Sequence, residues 1–424
     1  MRTMKDSGIE WIGQIPESWS VEALKRNVKI EMGQSPASEC YNSDGVGFPF
    51  LQGNADFTDK FPVERMYTSA ANKFSKTGDL LLSVRAPVGA VNIADKEYAI
   101  GRGLCAITGG RISIPFLWYA IAVLNHEFDA NSTGSTFESI NTEDVGNAKI
   151  MVPGEDEQRR IAEYLDVKCA EIDALIAAKE KTNALLKERR QSIIYEAVTK
   201  GLNPDAPMKD SGIEWIGTIP QNSNIVRFKY LCDIFGRIGF RGYTQADIVA
   251  EGEGPITLSP SNIEAYGMDF SKCTYLTWDK YNESPEIQVG VGDILLVKTG
   301  SSYGKSAIIE TIPMEATINP QLVVVKNIKC NARYLYYCMQ TDCFAYQVER
   351  AVVGGTIPTM AQEKINNFIV VLPEDDLCEE IVVYLDQKCE EINRMVTANE
   401  ATIQKLKEYR QSVIYEAVTG KIEI

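Results

Sequence analysis

The stretch that decides the fold is Arg190-Gln191-Ser192-Ile193-Ile194-Tyr195-Glu196-Ala197-Val198-Thr199, because the chain contains it twice. Residues 410–419 repeat it as Arg-Gln-Ser-Val-Ile-Tyr-Glu-Ala-Val-Thr. Outward from this stretch the likeness covers 153–201 and 373–421, where a gapless comparison at a shift of 220 positions finds 25 identical residues among 49. Helix-favouring composition alone does not produce that identity, so this part of the chain is a duplicated element.

Each copy of the duplicated element has the periodicity of one long helix. Apolar residues recur at steps of three, four or their sums, and Glu, Lys, Arg and Gln lie between them. About 44 residues at ~1.5 Å per residue form a long rod, and its narrow apolar stripe needs a partner. We therefore expect an intramolecular antiparallel coiled coil between the copies; the alternative is two helices that lie separately on their own domains. Lys179 and Asn399 occupy matched stripe positions, which predicts polar packing at mid-length.

A second repeat marks the start of each half of the chain. Residues 4–13, Met-Lys-Asp-Ser-Gly-Ile-Glu-Trp-Ile-Gly, recur unchanged at 208–217. Two interpretations stay open: the segment packs its Trp and Ile side chains onto its own domain, or it forms a surface for a partner. Before the second copy, residues 201–207 contain one Gly and two Pro, which end the first long helix and form a short connector.

The two domains between these repeats differ in sequence but keep a common skeleton. Residues 78–85 match 292–299 as a turn followed by a buried strand. Later, 133–136 match 354–356, each followed by a short helix and a strand that leads into the long helix. Short strands, many turns and one or two helices indicate α+β domains. The predicted fold class is α+β, with a pseudo-twofold repeat.

The predicted organisation has five parts. These are 1–152 for the N-terminal segment and first domain, 153–200 for the first long helix, 201–221 for the connector and repeated segment, 222–372 for the second domain, and 373–424 for the second long helix and tail.

Composition narrows the functional class. The 424 residues carry a net charge of -15, so a protein that binds DNA by itself through a basic face is not indicated. Any DNA contact would be local and assisted by a more basic partner. The ten cysteines form no Cys-x-x-Cys pair, and no apolar run approaches the ~20 residues that span a bilayer, which predicts a cytoplasmic location.

No catalytic constellation stands out in the sequence. The single histidine, His126, cannot build a multi-histidine metal site or relay, and we interpret it as structural. Residues 300–306, Gly-Ser-Ser-Tyr-Gly-Lys-Ser, have three residues between the glycines where a phosphate-binding loop needs four. Residues 319–322, Asn-Pro-Gln-Leu, lack the second proline and the aromatic residue of an adenine methyltransferase tetrapeptide. We therefore predict a non-enzymatic chain with no catalytic residue and no metal ligand.

With these features in place, the whole chain resembles the specificity (S) subunit of type I restriction-modification systems. The likeness rests on the doubled Ser-Gly-Ile-Glu-Trp-Ile-Gly segment, on 157–166, on the two Arg-Gln-Ser ends of the long helices, and on 78–81 with its counterpart. The second copy departs from the first at 377–380, Leu-Cys-Glu-Glu, where 157–160 are Glu-Gln-Arg-Arg. The two ends that would contact partners therefore differ in sequence at these four positions.

This resemblance implies the following function. Each α+β domain would be a target recognition domain that reads one half of a bipartite double-stranded DNA site, and the long helices would act as a spacer. Two methyltransferase (M) subunits would assemble on the repeats and use S-adenosylmethionine. Restriction (R) subunits would add ATP- and Mg-dependent cleavage. The chain itself would bind no cofactor.

The candidate residues follow from the chemistry of base and phosphate contacts. Arg, Lys and hydroxyl side chains on loops suit base edges and phosphates, so our DNA-binding candidates are Arg85, Arg102, Arg111, Ser135, Thr136, Arg241, Lys298, Ser302, Tyr303, Lys305 and Thr356. The candidates for partner contacts are aromatic residues of the repeats: Trp11, Trp215, Tyr164, Tyr384, Tyr195 and Tyr415. Two other hypotheses stay open, a structural coiled-coil adaptor whose domains bind proteins, and a degenerate family member that assembles without reading a site.

Overall fold

The computed structural model describes residues 2–131, 139–353 and 358–424. The chain divides into two compact units. Unit 1 comprises Met1–Lys179 with Ala401–Ile424, and unit 2 comprises Glu180–Glu400. Each unit therefore contains one globular domain and a part of both long helices.

Among the described residues up to the end of the first long helix, there are twelve strands and three α-helices. The strands are β1 (Met4–Asp6), β2 (Gln14–Pro16), β3 (Ser20–Ala23), β4 (Lys29–Met32), β5 (Tyr41–Asn42), β6 (Phe48–Leu51), β7 (Tyr67–Thr68), β8 (Leu80–Ser83), β9 (Val91–Ile93), β10 (Ala99–Ile100), β11 (Leu104–Thr108) and β12 (Lys149–Val152). The helices are α1 (Ile114–Asn131), α2 (Thr142–Asn147) and α3 (Glu155–Lys200).

The rest of the described chain follows the same plan. Its strands are β13 (Met208–Asp210), β14 (Thr218–Pro220), β15 (Asn224–Arg227), β16 (Asp233–Gly236), β17 (Ile248–Val249), β18 (Ile256–Leu258), β19 (Ile263–Glu264), β20 (Gly267–Met268), β21 (Thr274–Leu276), β22 (Gln288–Val289), β23 (Ile294–Val297), β24 (Ser306–Ile308), β25 (Ala316–Ile318), β26 (Leu322–Lys326), β27 (Val352–Val353), β28 (Thr359–Met360) and β29 (Ile369–Leu372). Its helices are α4 (Phe228–Leu231), α5 (Trp278–Asn282), α6 (Ala332–Cys338), α7 (Asp342–Ala351), α8 (Gln362–Ile365) and α9 (Asp375–Val418).

Unit 1 is built on an antiparallel sheet of strand order β4-β11-β8-β9. Successive side chains of a strand point to opposite faces. Leu80 and Leu82 therefore enter the main core with Phe116, while Leu81 enters a smaller core with Leu51 of a second sheet. Both faces of β8 are covered, which explains its uninterrupted apolar sequence.

Unit 2 repeats this arrangement with the sheet order β16-β26-β23-β24. Ile294 and Leu296 enter the core that contains the long helices, and Leu295 and Val297 enter the core beneath a five-stranded sheet. The turn and buried strand that the sequence matched between the domains are thus the same strand of the same sheet. The α+β fold class is confirmed.

The two long helices pack against each other in antiparallel directions, as expected. In unit 1, Ile172 and Ile176 of α3 pack with Ile403 and Leu406 of α9. In unit 2, Ile194 near the end of α3 shares a core with residues 381 and 385 near the start of α9. The predicted intramolecular antiparallel coiled coil is confirmed, and the interpretation as two separate helices is wrong.

The coiled-coil seam is polar near its middle. Asn399 Nδ2 donates a hydrogen bond of 2.8 Å to Asn183 Oδ1, and Asn183 is buried. A buried polar pair in an apolar seam favours one register, because any slip leaves both amides without partners. The sequence singled out Asn399 with Lys179, and the structure shows that Asn183 supplies the acceptor for Asn399.

The repeated segments form matching two-stranded hairpins, β1-β2 in unit 1 and β13-β14 in unit 2. In unit 1, Ile12 and Ile15 are buried in the core that contains the end of α9. In unit 2, Ile216 and Ile219 are buried with Val371. Among the described residues, no helix is both long enough and apolar enough to cross a membrane.

Candidate nucleic-acid interface

Three segments of unit 1 meet where β4 and β8 end and β11 begins, because β11 is antiparallel to both of its neighbours. We call this surface edge 1: residues 33–35, 84–85 and 101–103, with a fourth segment, 139–140, that is bonded to Val84. Gln34 N donates to Ile100 O (2.9 Å), and Val84 N donates to Gly103 O (2.9 Å). Ile140 N donates to Val84 O (3.0 Å), which joins the segment before α2 to the same surface. Backbone bonds thus hold the loops of edge 1 in fixed positions.

The equivalent surface of unit 2 lies where β16 and β23 end and β26 begins. Edge 2 comprises 236–243, 298–305, 319–321 and 359–360. Lys298 N donates to Gln321 O (2.8 Å), and Met360 N donates to Lys298 O (2.8 Å), which repeats the bonds of Val84 in unit 1. A further backbone hydrogen bond is the same in both units. Gly101 N donates to the carbonyl oxygen of the last residue of β6, and residue 319 N donates to the carbonyl oxygen of the last residue of β18, both at 2.8 Å. The two edges have the same backbone scheme with different side chains.

The structure separates the arginines predicted for the first domain. Arg85 and Arg102 lie exposed on edge 1, where the backbone N–H of Arg102 donates to Ser35 Oγ (3.1 Å). Arg111 follows the other end of β11 and pairs with Glu22 at 3.1 Å. Arg102 and Arg111 therefore lie at opposite ends of one strand. Ser135 and Thr136 fall outside the described residues.

The predicted residues of the second domain gather on edge 2. Ser302 is exposed and Tyr303 is half-buried on the turn between β23 and β24. The ammonium of Lys305 donates to Ile263 O. Arg241 pairs with Glu286 at 3.5 Å. Thr356 lies outside the described residues.

Lys298 is half-buried at the end of β23. A Cβ placed on Gly236 would lie 3.2 Å from its Nζ, so the absence of a side chain at 236 makes room for the ammonium. Burial lowers the pKa of Lys298 below its usual value. The charge of a poorly hydrated ammonium at a loop surface is stabilised by any hydrogen-bond acceptor that approaches it, such as a base edge or a phosphate.

Arg237 is a residue of edge 2 that the sequence reasoning missed. It is 4% exposed, and its guanidinium donates to Ile318 O (3.0 Å), Thr317 Oγ1 (3.1 Å) and Arg241 O (3.3 Å). It also lies over the ring of Tyr243 at 5.6 Å. Burial lowers its pKa, and the three acceptors compensate part of the lost hydration. Arg237 thereby fixes the loop that presents Arg241. The only signal in the sequence was an arginine directly after the apolar strand β16.

A second pair of matched surfaces lies at the ends of the long helices. End cleft 1, of about 520 Å³, is lined by Arg2, Met4, Gln14 and 420–423. End cleft 2, of about 860 Å³, is lined by Ile193, 195–197, 200–204, Met208, Thr218 and Tyr384. Met4 and Met208 occupy the same place in the repeated segment, and Ile422 and Leu202 the same place after the duplicated helix. The duplication therefore produces one cleft in each unit.

The predicted partner residues are divided by the structure. Tyr195 and Tyr384 line end cleft 2. Tyr415 donates to the carbonyl of Trp11 (2.8 Å), so these two hold the first hairpin on the end of α9. Tyr164 is half-buried against the core of unit 1.

The second tryptophan of the repeats, Trp215, packs on Tyr346 with ring centroids 5.4 Å apart. It is thus also in contact with its own unit. Within the part of the chain that the structure describes, no group of His, Cys, Asp or Glu is arranged to hold a metal ion.

Comparison with known proteins finds a family profile that matches part of the chain. Residues 16–187 match the profile of the family described as type I restriction modification DNA specificity domain. The putative type I restriction enzyme MjaX specificity subunit of Methanocaldococcus jannaschii is 38% identical over 192 residues, which are 44% of this chain and 44% of that protein. The chain thus spans less than half of that relative.

Other relatives match over nearly the full length. The type I restriction enzyme MjaIX specificity subunit of the same organism is 23% identical, covering 97% of this chain and 95% of the relative. The EcoDI specificity subunit of Escherichia coli is 22% identical, covering 97% and 90%. A solved chain described under complex assembly and conformational transition of the type I R-M system shares the fold, with a TM-score of 0.72, 16% identity and coverage of 96% and 99%.

Proposed function

We propose that edge 1 and edge 2 each read one half of a bipartite double-stranded DNA sequence, because this chain is similar to type I restriction-modification specificity subunits. The observation that carries the proposal is the shared backbone scheme of the two edges. Val84 and Lys298 make the same two backbone bonds, while the side chains around them differ. A constant frame with different contents is what two readers of unlike half-sites require.

The chemistry of the edges suits this role. Arg85 and Arg102 on edge 1 and Lys298 and Arg241 on edge 2 offer N–H donors, and arginine reads guanine in the major groove through a bidentate contact. The bonds that fix the loops limit the entropy lost when the edges meet DNA. Because the chain carries a net charge of -15, its partners supply most of the phosphate neutralisation.

The matched end clefts support two equivalent partners. We place one methyltransferase subunit at end cleft 1 and one at end cleft 2, since a duplicated surface binds two copies of one protein. These subunits would carry S-adenosylmethionine. Restriction subunits, where they join, would carry ATP and Mg. In this proposal the chain itself is non-catalytic.

Substitution of Arg102 tests the reading role, with Arg111 as the matched control. Both are exposed arginines at the two ends of β11, so Arg102→Ala and Arg111→Ala remove the same side chain from different surfaces. We expect Arg102→Ala to weaken methylation at one half-site by about tenfold and Arg111→Ala to leave it unchanged. Sequencing of N6-methyladenine in DNA treated with the assembled complex measures both. Equal effects of the two substitutions would contradict the assignment of edge 1.

Partner docking has a separate test. Leu202→Glu in end cleft 2 and Ile422→Glu in end cleft 1 each place a charge where an apolar contact is proposed, and each is expected to remove one of two methyltransferase subunits. Val291→Glu, at a side chain 67% exposed on a turn of unit 2, is the control. Native mass spectrometry gives the stoichiometry. An unchanged stoichiometry in both variants would favour partner contacts elsewhere. If footprinting showed that the assembled complex protects no bases of the DNA, the structural adaptor would be favoured.

A further inference from the structure

A buried arginine of unit 2 lacks the carboxylate partner that its counterpart in unit 1 has. In unit 1, Arg410 Nε lies 2.9 Å from Asp173 Oδ1, an ion pair between the two long helices whose angle is not that of a hydrogen bond. The duplication places Arg190 and Asn393 at the same two positions of unit 2. The aspartate has become an amide, so the ion pair cannot form there.

The consequence is visible in the surroundings of Arg190. Its side chain is 8% exposed, and neither its Nε nor Asn393 Oδ1 has a hydrogen-bond partner. Among the described residues, no carboxylate lies within ion-pair distance of Arg190. A buried guanidinium without a counter-charge is unfavourable, so this position gains from an anion supplied from outside the chain.

Arg190 is also accessible to such an anion, because it lines a cleft of about 500 Å³ within unit 2. The guanidinium lies over the ring of Tyr266 at 5.5 Å. A guanidinium stacked on a ring keeps its N–H edge available for the two parallel bonds that an oxyanion accepts. Ser301, Lys305 and Ser306 line the cleft as further donors.

We propose that the cleft beside Arg190 is an oxyanion site, and that its occupant is a phosphate of the DNA backbone. This inference rests on the proposed function, since the wall that carries Ser301 and Lys305 is the β23-β24 turn of edge 2. A phosphate contact there fixes the position of the DNA on edge 2 without reading its sequence.

The carboxylates at the cleft decide how strong the site is. Glu264, Asp342 and Glu349 also line the cleft and are exposed. Exposed charges are screened over about 8 Å at physiological salt, whereas a buried charge is screened much less. The charge of Arg190 is therefore screened less than those of the three carboxylates, which lower the affinity for a phosphate without cancelling the attraction of Arg190.

The first test uses sulfate as the probe and the full chain. Thermal unfolding in sodium sulfate is compared with unfolding in sodium chloride of equal ionic strength. The sulfate increment is the melting temperature in sulfate minus that in chloride. Sulfate stabilises proteins generally, so the specific signal is a larger sulfate increment in the wild type than in Arg190→Gln. Asn393→Asp supplies the missing carboxylate, and we expect it to raise the melting temperature in chloride and to abolish the sulfate increment. Asp173→Asn, the matched change in unit 1, is expected not to reduce it.

The second test identifies the occupant. The complex with the methyltransferase partner is titrated on a labelled duplex of mixed sequence at several salt concentrations. Because a phosphate contact is independent of sequence, Arg190→Gln and Asn393→Asp should each weaken binding by about tenfold and reduce the slope of log affinity against log salt by about one. Asp173→Asn should change neither quantity.

The outcomes separate the inference from the proposed function. An equal sulfate increment in all variants would overturn the oxyanion site. A lost increment with unchanged affinity and salt slope would overturn DNA as the occupant, and lost methyltransferase binding in Asn393→Asp would assign the site to a partner carboxylate instead. A wild-type complex that does not bind the duplex would overturn the proposed function, and the DNA occupant with it, before any substitution is compared.

Discussion

Ile100 in unit 1 and Ile318 in unit 2 end equivalent strands, and their backbone carbonyls are satisfied in different ways. In unit 1, Gln34 N donates to Ile100 O at 2.9 Å. In unit 2, the Arg237 guanidinium donates to Ile318 O at 3.0 Å. A buried carbonyl needs a donor in both halves, but the donor comes from the backbone in one and from a side chain in the other. The duplicated frame thus preserves a physical requirement while the loops that meet it diverge.

The backbone solution of unit 1 depends on a glycine. A Cβ on Gly33 would lie 2.1 Å from the carbonyl oxygen of Gly101, so only a residue without a side chain permits this approach. At the matched position unit 2 has Arg237, whose chain takes another course. In edge 1, two backbone segments are therefore in direct contact. In edge 2, the long side chain of Arg237 makes the equivalent connection.

The largest expected effect is that of Gly33→Ala. The new methyl group meets backbone atoms that cannot rotate away, and we expect a loss of about 3 kcal/mol or more in the free energy of unfolding. Gly53→Ala is the control, because a Cβ there has nothing within 4 Å. Urea unfolding of the full chain compares the two. A small effect at Gly33 would show that edge 1 can open without loss, and the contrast between the edges would disappear.

A smaller effect is expected for Arg237→Met. The substitution leaves up to three acceptors of edge 2 without their donor, and a buried unsatisfied group destabilises the fold by about 1–3 kcal/mol. It also removes the cost of burying a charge, which offsets part of this loss. We expect a net loss of about 2 kcal/mol. Arg241→Ala, at a more exposed side chain, should lose less.

In the proposed function, Arg237 would act on DNA only through Arg241, whose backbone carbonyl it binds. Arg237 is then a positioning residue, and its test needs a functional readout. In Arg237→Met, methylation should become less selective at one half-site and stay unchanged at the other. Arg237→Lys keeps the charge without the planar donors and should behave like the Met variant. Relaxed selectivity at both half-sites would mean that Arg237 only stabilises the protein.

These residues show how far the sequence determined the structure in advance. The long helices were predictable because identity and a three-four period extend over the whole duplicated element, and burial of an apolar stripe depends on that period alone. The matched strands β8 and β23 were predictable for a different reason, because a short uninterrupted apolar run after a turn indicates a strand that is buried on both faces. The residue spacing shared by the two halves was therefore sufficient to predict the long helices and the central strands.

The contents of the edges were not predictable. Arg237 and Asn183 are polar residues whose burial depends on neighbours distant in sequence, Ile318 and Asn399, and no local pattern encodes such a contact. Arg102 and Arg111 have the same chemistry and lie within ten positions in the sequence, but a five-residue strand between them places them at opposite ends of the sheet. Side-chain type alone does not distinguish them.

The smallest predicted effect concerns a phenol and a carboxylate that occur in both halves. Tyr119 donates to Asp166 at 2.5 Å in unit 1, and Tyr337 donates to Asp386 at 2.6 Å in unit 2. In unit 2, Arg333 also pairs with Asp386, whereas no described residue of unit 1 forms an ion pair with Asp166. We expect Tyr119→Phe to reduce the free energy of unfolding by about 1 kcal/mol and Tyr337→Phe by less, because Arg333 continues to bind the carboxylate.

The pH dependence distinguishes the loss of a buried phenol hydroxyl from the loss of packing alone, and the comparison of the two tyrosines tests the part of Arg333. Burial raises the pKa of Tyr119 and of Tyr337 above the ordinary value of 10, so the folded protein keeps the phenol proton that the unfolded chain loses. The contribution of each phenol is therefore complete below pH 10 and decreases as the pH rises above it. The difference between wild type and Tyr119→Phe should shrink in that range. A difference that is independent of pH, or equal losses at Tyr119 and Tyr337, would show that neither the hydrogen bond nor Arg333 causes the contrast.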